Sequence, residues 1–551
     1  MAGRIAAGRL MKTNKSKVFL AALLASASLC VCGAAAGLRP KALVVMLDGM
    51  RADAVENACA PNLQMLREGR WRPGYKCAWS LTVNTILDAK TISGPNHIAI
   101  ACGVTFAKHT VPANGKNTCD HKKWPSWLVR LVEAKPEMKG LFMYSWKWDE
   151  SISPDPRVEF VHSSDEANAL AMPGRLAAAD APDAVMWYID WPDHGGHGFG
   201  YYPYTTGYFN TVHLSDRAIG EALKAIASRP TFEQEDWMII VTADHGGYHK
   251  SHGLMNGPAT TIPLLVIGRG VAQGRMAGTP HNFHVAPTVL THFGVDWSGM
   301  GLDGKVVGGD VAEERPRAIK DGLSVYLSFE GKEAKNAVAD GPIPQMPGTN
   351  ATLQAKGGFV GNCLRVAGST NGVGGVCLKG SENLKFENGG EFAVVFWMRL
   401  DKPLDGDPAI VGNKNWDKGV NPGFVMAFNK NVGVLLNNGL PGGKRHDLMP
   451  YDVEFGKWTF YAATRASDGV LRFYQGGQDG HLYWMSENVP EIALSTGMPF
   501  HIGTDGTGAY KSKFSGDVDD FALWTRALSH DDVRRVYEAG RMGIPLGDLL
   551  D

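Results

Sequence analysis

The chain has 551 residues, of which 44% are hydrophobic and 20% are charged, and its formal net charge is −1. This length predicts two or three domains, and the composition is typical of a globular protein. A net charge so close to zero produces no global electrostatic field, so the composition does not favour binding to a nucleic-acid duplex or to an acidic membrane surface.

The N-terminal segment has the pattern of a secretory signal. Basic residues precede the apolar run VFLAALLASASL at 18–29, and the small residues CGAAAG follow at 32–37. This order is typical of a signal peptide, whereas the apolar core is short for a membrane anchor. We therefore expect 1–36 to be a signal peptide, the mature protein to be secreted or periplasmic, and no transmembrane segment to remain in it.

Residues 38–311 alternate short apolar runs with stretches of helical periodicity. Such runs, rich in Val, Ile and Leu, are typical of buried parallel strands. The stretches at 126–134 and 214–229 have apolar residues at helical spacing. The pattern predicts an α/β domain with helices on both faces of its sheet. The clearest strand candidates are KALVVMLDGM (41–50), AVMWYID (184–190), WMIIVTADHG (237–246) and IPLLVIG (262–268).

The pattern changes after a predicted linker at 312–323. Residues 324–545 contain short alternating runs separated by Gly, Asn and Asp, which predicts an all-β antiparallel sandwich. Asp517, Asp519 and Asp520 could bind calcium, but acids in a surface turn are the simpler interpretation.

Six cysteines remain after the predicted signal peptide. An oxidising compartment would permit disulfide bonds among them. Cys363 and Cys377 form the simplest pair, because they close a short glycine-rich segment. The pairing of Cys59, Cys77, Cys102 and Cys119 cannot be fixed from the sequence.

Acids and histidines follow the apolar runs, where loops at the carboxyl ends of strands bind ligands in α/β sheets. Carboxylate oxygens and imidazole nitrogens are zinc ligands, and a two-metal site suits phosphoryl transfer. Each motif alone is common, but the whole set is not. We predict that these residues hold two divalent metal ions, with zinc as the first choice. The set is Asp48, Asp193, His197, Asp244, His245 and His252.

The run KTISGPNHIAIACGV at 90–104 supplies a candidate nucleophile. Pro95 fits the first turn of a helix, which places Ser93 at the helix N-terminus, where free N–H groups favour a phosphate. A serine there can also be a simple N-cap. The metal ligands elsewhere favour the nucleophile, because metal coordination activates an alcohol.

These motifs together resemble the alkaline phosphatase superfamily, and within it the nucleotide pyrophosphatase/phosphodiesterase-like group. The family's Asp-Gly after the first strand matches Asp48-Gly49, and its Thr-Phe-Pro-Asn-His run matches SGPNH at 93–97. Its Pro-Asp-x-x-Gly-His matches PDHGGH at 192–197, and its Asp-His pair matches ADHGG at 243–247.

The resemblance implies a metal-dependent phosphodiesterase or phosphatase that acts through a phospho-serine intermediate on a small phosphate ester or a glycan-linked substrate. Ser93 would be the nucleophile, with Thr91 as a fallback, and Asn114 would hold a phosphate oxygen. His249, His281 and His284 compete with His252 as the last ligand. One metal would be held by Asp193, His197 and His252, and the other by Asp48, Ser93, Asp244 and His245.

The C-terminal half resembles laminin-G-like, concanavalin A-type jelly rolls through FSGDVDDFALWTRALSHDDVRRVYEAG at 514–540. The resemblance implies carbohydrate binding or docking by this domain. Two rival functions remain. A sulfatase would have an arginine where His97 stands, and a glycan-binding protein with an inactive hydrolase domain would have no need of the complete ligand set.

Overall fold

The structure, a computed structural model, describes most of the chain from residue 37 to residue 550. The predicted signal peptide at 1–36 and Cys59 lie outside the described residues. The described ranges are 37–58, 60–84, 90–202, 205–253, 257–312, 317–368, 375–387, 390–401, 406–430, 433–448, 453–467, 469–478, 480–489 and 491–550.

The N-terminal part is the predicted α/β domain, built on an eight-stranded sheet of order β4-β3-β5-β1-β6-β7-β2-β8. Its central strands are parallel, whereas β7 runs antiparallel to both neighbours, β6 and β2. The four runs that the sequence predicted as buried parallel strands are β1, β5, β6 and β7. All four are buried, but β7 is antiparallel rather than parallel, and β4 and β8 are partly exposed. The strand bounds are β1 Arg39–Leu47, β2 Lys76–Asn84, β3 Gly140–Tyr144, β4 Val158–His162, β5 Ala184–Ile189, β6 Glu235–Ala243, β7 Thr261–Gly268 and β8 Gly274–Arg275.

Helices cover the sheet on both faces and bury their apolar sides against it. One group packs around the long helix α8, and the other joins α3, α5 and α10. The helices are α1 Ala54–Asn57, α2 Pro61–Arg67, α3 Ser93–Cys102, α4 Phe106–His109, α5 Trp127–Ala134, α6 Asp165–Ala177, α7 Trp191–Phe199, α8 Thr206–Ala227, α9 Gly257–Thr260 and α10 Val285–His292. Among the described residues, no helix is both long and apolar enough to cross a membrane.

The C-terminal part is the predicted all-β jelly-roll sandwich. Two antiparallel sheets, of order β10-β13-β22-β15-β16-β17-β18 and β11-β12-β23-β14-β19-β20-β21, enclose an apolar core, and β9 pairs with β23. The single α-helix described here is α11, His530–Arg541. The strands are β9 Leu323–Leu327, β10 Ile343–Gln345, β11 Ala351–Gln354, β12 Cys363–Val366, β13 Val376–Lys379, β14 Phe392–Leu400, β15 Ala409–Gly412, β16 Phe424–Asn429, β17 Gly433–Leu440, β18 Lys444–Leu448, β19 Trp458–Arg465, β20 Val470–Gly476, β21 Leu482–Asn488, β22 Phe500–Ile502 and β23 Gly516–Trp524.

Two expectations about the sandwich are wrong. Cys363 and Cys377 are free thiols rather than a disulfide, and they lie on β12 and β13, which belong to different sheets. The acids Asp517, Asp519 and Asp520 are buried on β23 instead of exposed in a turn. Each has a structural partner: Asp517 pairs with arginines, Asp519 accepts a backbone N–H, and Asp520 accepts the hydroxyl of a tyrosine.

The two parts meet at a buried carboxylate. Glu56 of α1 accepts a hydrogen bond of 2.9 Å from the Trp484 indole and lies 3.1 Å from His530 Nε2, both on the sandwich. Arg67 completes the ion pair from the N-terminal side. Although burial opposes ionisation, His530 and Arg67 lower the pKa of Glu56, so the contact is a charged one.

Helix α7 is a departure from prediction, since the sequence indicated a loop at this strand end. Pro192 occupies the first turn, where its fixed φ suits a helix. Gly195 and Gly196 allow close packing, because a Cβ on Gly196 would lie 2.2 Å from the ring of the buried Tyr201. The glycines therefore serve helix packing rather than loop flexibility.

This packing yields a test of stability. We expect Gly196→Ala to lower the free energy of unfolding by about 1–3 kcal/mol, because overpacking must displace the Tyr201 ring. Gly198→Ala is the matched control on the same helix, since its Cβ would meet nothing within 4 Å. The control should stay within about 1 kcal/mol of wild type or gain stability. Urea unfolding measures both, and equal effects would contradict the assigned packing.

Candidate active site

Three aspartates meet at one edge of the N-terminal sheet. Strands β5, β1 and β6 are adjacent and parallel, and their register pairs Leu47 with both Ile189 and Ala243. The residue after each of these three is an aspartate, so three carboxylates reach the same level of the sheet. They are Asp48, Asp190 and Asp244.

His245 completes the first group of ligands. Its Nε2 lies 3.3 Å from Asp48 Oδ1 and 3.3 Å from Asp244 Oδ2. Its Nδ1 lies 2.8 Å from the carbonyl oxygen of Gly246, which turns Nε2 toward the carboxylates. All three side chains are buried, and their ligand atoms lie within 4.8 Å of one another.

The second group is built on α7 and the loop after β6. Asp193 and His197 are one helical turn apart, with Oδ2 and Nε2 separated by 3.3 Å. His252 Nε2 lies 3.8 Å from Asp193 Oδ1, and its Nδ1 is held 3.0 Å from the carbonyl oxygen of Thr91. The rings of His245 and His252 stack at 4.0 Å, so the two groups form one continuous cluster.

Ser93 lies at the first turn of α3, beside this cluster. Its Oγ is 3.3 Å from His245 Nε2. The N–H of Gly94 donates to Asn114 Oδ1 over 2.8 Å, which leaves the Asn114 amide nitrogen to donate elsewhere. The helix N-terminus, the hydroxyl and the amide thus border a single space, as a phosphate site requires.

His97 was not predicted as a site residue, yet it lies beneath the cluster. Its Nδ1 is 2.7 Å from Asp149 Oδ1, and its Nε2 is 3.2 Å from Asp244 Oδ2. Burial opposes the charged form, but Asp149 and the cluster carboxylates raise the pKa of His97 well above its usual value. The sequence signals were that His97 ends the SGPNH run and that Asp149 lies shortly after the end of β3 at Tyr144.

Tyr188 and Tyr201 orient the carboxylates. The Tyr188 hydroxyl donates to Asp48 Oδ2 over 2.6 Å, and the Tyr201 hydroxyl donates to Asp193. Both tyrosines are buried. Neither was predicted in this role, because the aromatic residues at 187–209 could not be divided between core and pocket from the sequence alone.

The donor set fits divalent cations. Among the residues that the structure describes, Asp48 Oδ1 is buried and has no hydrogen-bond partner, although His245 Nε2 lies 3.3 Å away. Burial and the nearby charges of Asp48, Asp193 and Asp165 raise the pKa of Asp190 to about 9. Carboxylates crowded in this way repel one another, and a cation would relieve the repulsion. Oxygen and imidazole donors at these separations suit zinc.

The competing residues lie elsewhere. Within the described ranges, His249, His281 and His284 belong to no group of three ligand atoms within 4.8 Å of one another. His197 belongs to no such group either, but its Nε2 faces Asp193 Oδ2. The imidazole of His249 contacts the Tyr202 hydroxyl instead, and His281 packs on Phe283. Thr91 contributes its backbone carbonyl to the orientation of His252.

Two tryptophans flank the nucleophile. Trp146 and Trp148 are stacked with ring centroids 5.0 Å apart, and both contact the His97 ring. Each is only partly buried, and a Cβ on Gly94 would lie 3.2 Å from the Trp148 ring. An exposed aromatic surface beside Ser93 can contact a leaving group.

Comparison with known proteins agrees with this arrangement. The family model for type I phosphodiesterase / nucleotide pyrophosphatase matches residues 141–253, which include Asp193, His197, Asp244, His245 and His252. The model for the concanavalin A-like lectin/glucanases superfamily matches 371–534. Asp48, Ser93 and Asn114 lie outside the matched ranges.

A curated relative is GPI ethanolamine phosphate transferase 1 of Neurospora crassa, 24% identical over 205 residues, which are 34% of this chain. The chain spans 20% of the length of that relative. A solved 2-O GAG sulfatase overlaps 60% of this chain and 81% of its own, with 10% identity and a TM-score of 0.42. Murine ectonucleotide pyrophosphatase / phosphodiesterase 5 overlaps 49% of this chain and 97% of its own, with 14% identity and a TM-score of 0.35.

The family matches and the motifs that frame them lead to one assignment. The N-terminal domain is similar to the nucleotide pyrophosphatase/phosphodiesterase-like branch of the alkaline phosphatase superfamily, and the C-terminal domain is similar to laminin-G-like domains of the concanavalin A-like superfamily.

Proposed function

We propose that the N-terminal domain is a two-metal phosphoric ester hydrolase with Ser93 as its nucleophile. The observation that carries this proposal is the position of the Ser93 hydroxyl, at a helix N-terminus and 3.3 Å from His245 within the acid and histidine cluster. A hydroxyl beside two groups of metal ligands has the means of activation that a serine needs.

The ligand sets follow the two groups of side chains. One cation would be held by Asp193, His197 and His252, and the other by Asp48, Ser93, Asp244 and His245. Zinc is our first choice because of the imidazole donors. When bound, the two cations would favour the ionised serine and stabilise charge on the departing oxygen.

The side chains then account for the two chemical steps. Ser93 Oγ bonds to phosphorus as the bond to the leaving alcohol breaks, which gives a phospho-serine and a free alcohol. Water next attacks the phosphorus and the bond to Ser93 Oγ breaks. This step restores the serine and releases inorganic phosphate or a phosphomonoester. The Asn114 amide nitrogen and the backbone N–H of Ser93 would donate hydrogen bonds to the phosphate oxygens, where charge accumulates, since the Gly94 N–H is already bonded to Asn114 Oδ1.

A sulfatase is the main rival among enzymes. His97 stands where the sulfatase signature has arginine, and its ring lies between Asp149 and Asp244. Because His97 contacts both carboxylates, it supports the carboxylate cluster. This role favours a phosphate ester over a sulfate ester as the substrate. A glycan-binding protein with an inactive hydrolase domain is the second rival, and turnover measurements separate it from our proposal.

For the whole protein we propose secretion or export to a periplasm and a small phosphate ester or glycan-linked substrate. The N-terminal signal pattern supports the location. The C-terminal domain supports the substrate class, because its fold is one that binds sugars. Stacked Trp146 and Trp148 would contact the sugar or base of the leaving group.

The nucleophile is tested by Ser93→Ala. We expect turnover of bis(p-nitrophenyl) phosphate or p-nitrophenyl phosphate to fall by about 10³-fold or more, because the variant loses the proposed nucleophile. Bound metal should be largely retained. Ser215→Ala removes a buried hydroxyl on α8, away from the cluster, and should leave turnover unchanged. Full activity of Ser93→Ala, or activity of wild type on the sulfate ester alone, would contradict the proposal.

The phosphate contact is tested by Asn114→Ala. We expect kcat to fall by about 10²–10³-fold, because the lost donor stabilises charge that develops in the transition state. KM should change much less. The exposed Asn114 side chain makes this change compatible with folding. Steady-state kinetics on the same esters measure kcat and KM. A rise in KM with kcat unchanged would show that Asn114 acts in ground-state binding only.

The last ligand is tested by comparing histidines. We expect His252→Ala to lose about one metal equivalent relative to wild type, and to lose turnover with it, because its Nε2 faces Asp193. His249→Ala is the control, since its ring contacts Tyr202 outside the cluster. Elemental analysis after dialysis against zinc measures the stoichiometry. Retention of the full complement in His252→Ala would exclude His252 as a ligand.

A further inference from the structure

A second group of metal-ligating side chains lies at the opposite end of the nucleophile helix. Cys102 is the last residue of α3, and Cys119 and His121 follow in the loop that leads toward α5. One ligand atom from each lies within 4.8 Å of the other two. We propose that Cys102, Cys119 and His121 bind one zinc-type cation, separate from the catalytic pair.

The chemistry of the donors differs from that of the catalytic cluster. Two sulfurs and one imidazole nitrogen form a soft set, which selects Zn²⁺ over Mg²⁺ or Ca²⁺. Each thiol gives up its proton when it binds the metal. Three protein ligands leave the fourth tetrahedral position to water.

His121 is already oriented for this role. Its Nδ1 lies 2.9 Å from Ser153 Oγ and 3.4 Å from the carbonyl oxygen of Trp124, so Nε2 carries the lone pair that would bind the cation. Such contacts to the second nitrogen are usual for histidines that bind metals. Asn117 Nδ2 donates to Nε2, but it also lies 3.1 Å from the carbonyl oxygen of Ser151. It therefore keeps a partner when His121 binds the cation.

The surroundings fix the other two ligands. Asn117 Oδ1 accepts the backbone N–H of Cys119 over 3.0 Å. Ser153, which also contacts Cys102, is buried with a φ of 47°, a left-handed conformation that is uncommon outside glycine. Its Oγ accepts the backbone N–H of Ser126. The loop is thus held in shape around the three donors.

A buried positive charge supports thiolate ligands. Arg130 of α5 is 7% exposed, and its Nη2 has no hydrogen-bond partner among the described residues. Burial and the neighbouring Cys119 raise the pKa of Cys102 well above its usual value, and the charge of Arg130 acts against that rise.

The position of this site gives it a structural role. Cys102 ends the helix that begins at Ser93, and Asn114 lies in the loop between Cys102 and Cys119. A cation bound by both cysteines would fasten that loop to α3 at the end opposite the nucleophile. The cation would therefore help to hold Asn114, the residue that we place on the phosphate, in position. The cation itself would not contact substrate.

Cobalt substitution of the full chain tests the site, because thiolate ligands give Co²⁺ a charge-transfer absorption in the near ultraviolet that carboxylates and imidazoles do not. We expect this band in wild type and in His252→Ala, and its loss in Cys119→Ser. Cys377→Ser is the control, since Cys377 lies on β13 outside any ligand group. Loss of the Cys119 ligand should lower the affinity of this site for Co²⁺ by about 100-fold or more.

His121→Asn keeps the test decisive if Cys119→Ser fails to fold, since it removes one ligand and spares both sulfurs. His121→Asn should weaken the absorption band and lower the affinity of the site for Co²⁺, whereas Cys377→Ser should behave as wild type. Absence of the band from folded wild type, or its persistence in folded Cys119→Ser, would overturn the site. A Cys102–Cys119 disulfide found by peptide mapping of the secreted, unreduced protein would overturn it as well. Because His252→Ala retains the band, failure here is distinguishable from failure of the catalytic proposal.

Discussion

The register of three parallel strands is the constraint on which the rest of the site depends. Because β5, β1 and β6 are aligned residue for residue, the aspartates that follow them reach the same edge at the same height. Three carboxylates at one buried edge repel one another, and the histidines around them supply only part of the compensation. A site for divalent cations follows from this geometry, and the hydrolytic chemistry that we propose follows from the cations.

The nucleophile depends on a second constraint, the placement of helix α3. Its N-terminus brings Ser93 to the cluster, with Ser93 Oγ 3.3 Å from His245 Nε2. The loop after it returns Asn114 to the N-terminus, where the amide accepts from Gly94. In our account the thiolate site at the far end of α3 holds that loop, so one short helix and the loop after it position the alcohol and the phosphate contact together.

Much of this could be predicted from sequence because it depends on local patterns. Apolar runs followed by acids indicated strands with ligands at their ends, and the change to short alternating runs indicated the sandwich. Helix α7 was missed because three glycines argue for a loop, whereas the close packing of Gly196 on Tyr201 is visible only in three dimensions. The same is true of His97 and Asp149, which are 52 residues apart in the chain. The proposed disulfide failed because nearness in sequence did not place Cys363 and Cys377 in the same sheet.

The central claim is that the carboxylate edge holds two cations beside Ser93. Anomalous X-ray diffraction from crystals of the zinc-loaded protein, collected on both sides of the zinc absorption edge, measures this most directly. The account predicts two peaks about 4 Å apart, one against Asp48, Asp244 and His245 and the other against Asp193 and His252. A well-ordered edge with no peak there in zinc-saturated crystals would contradict it.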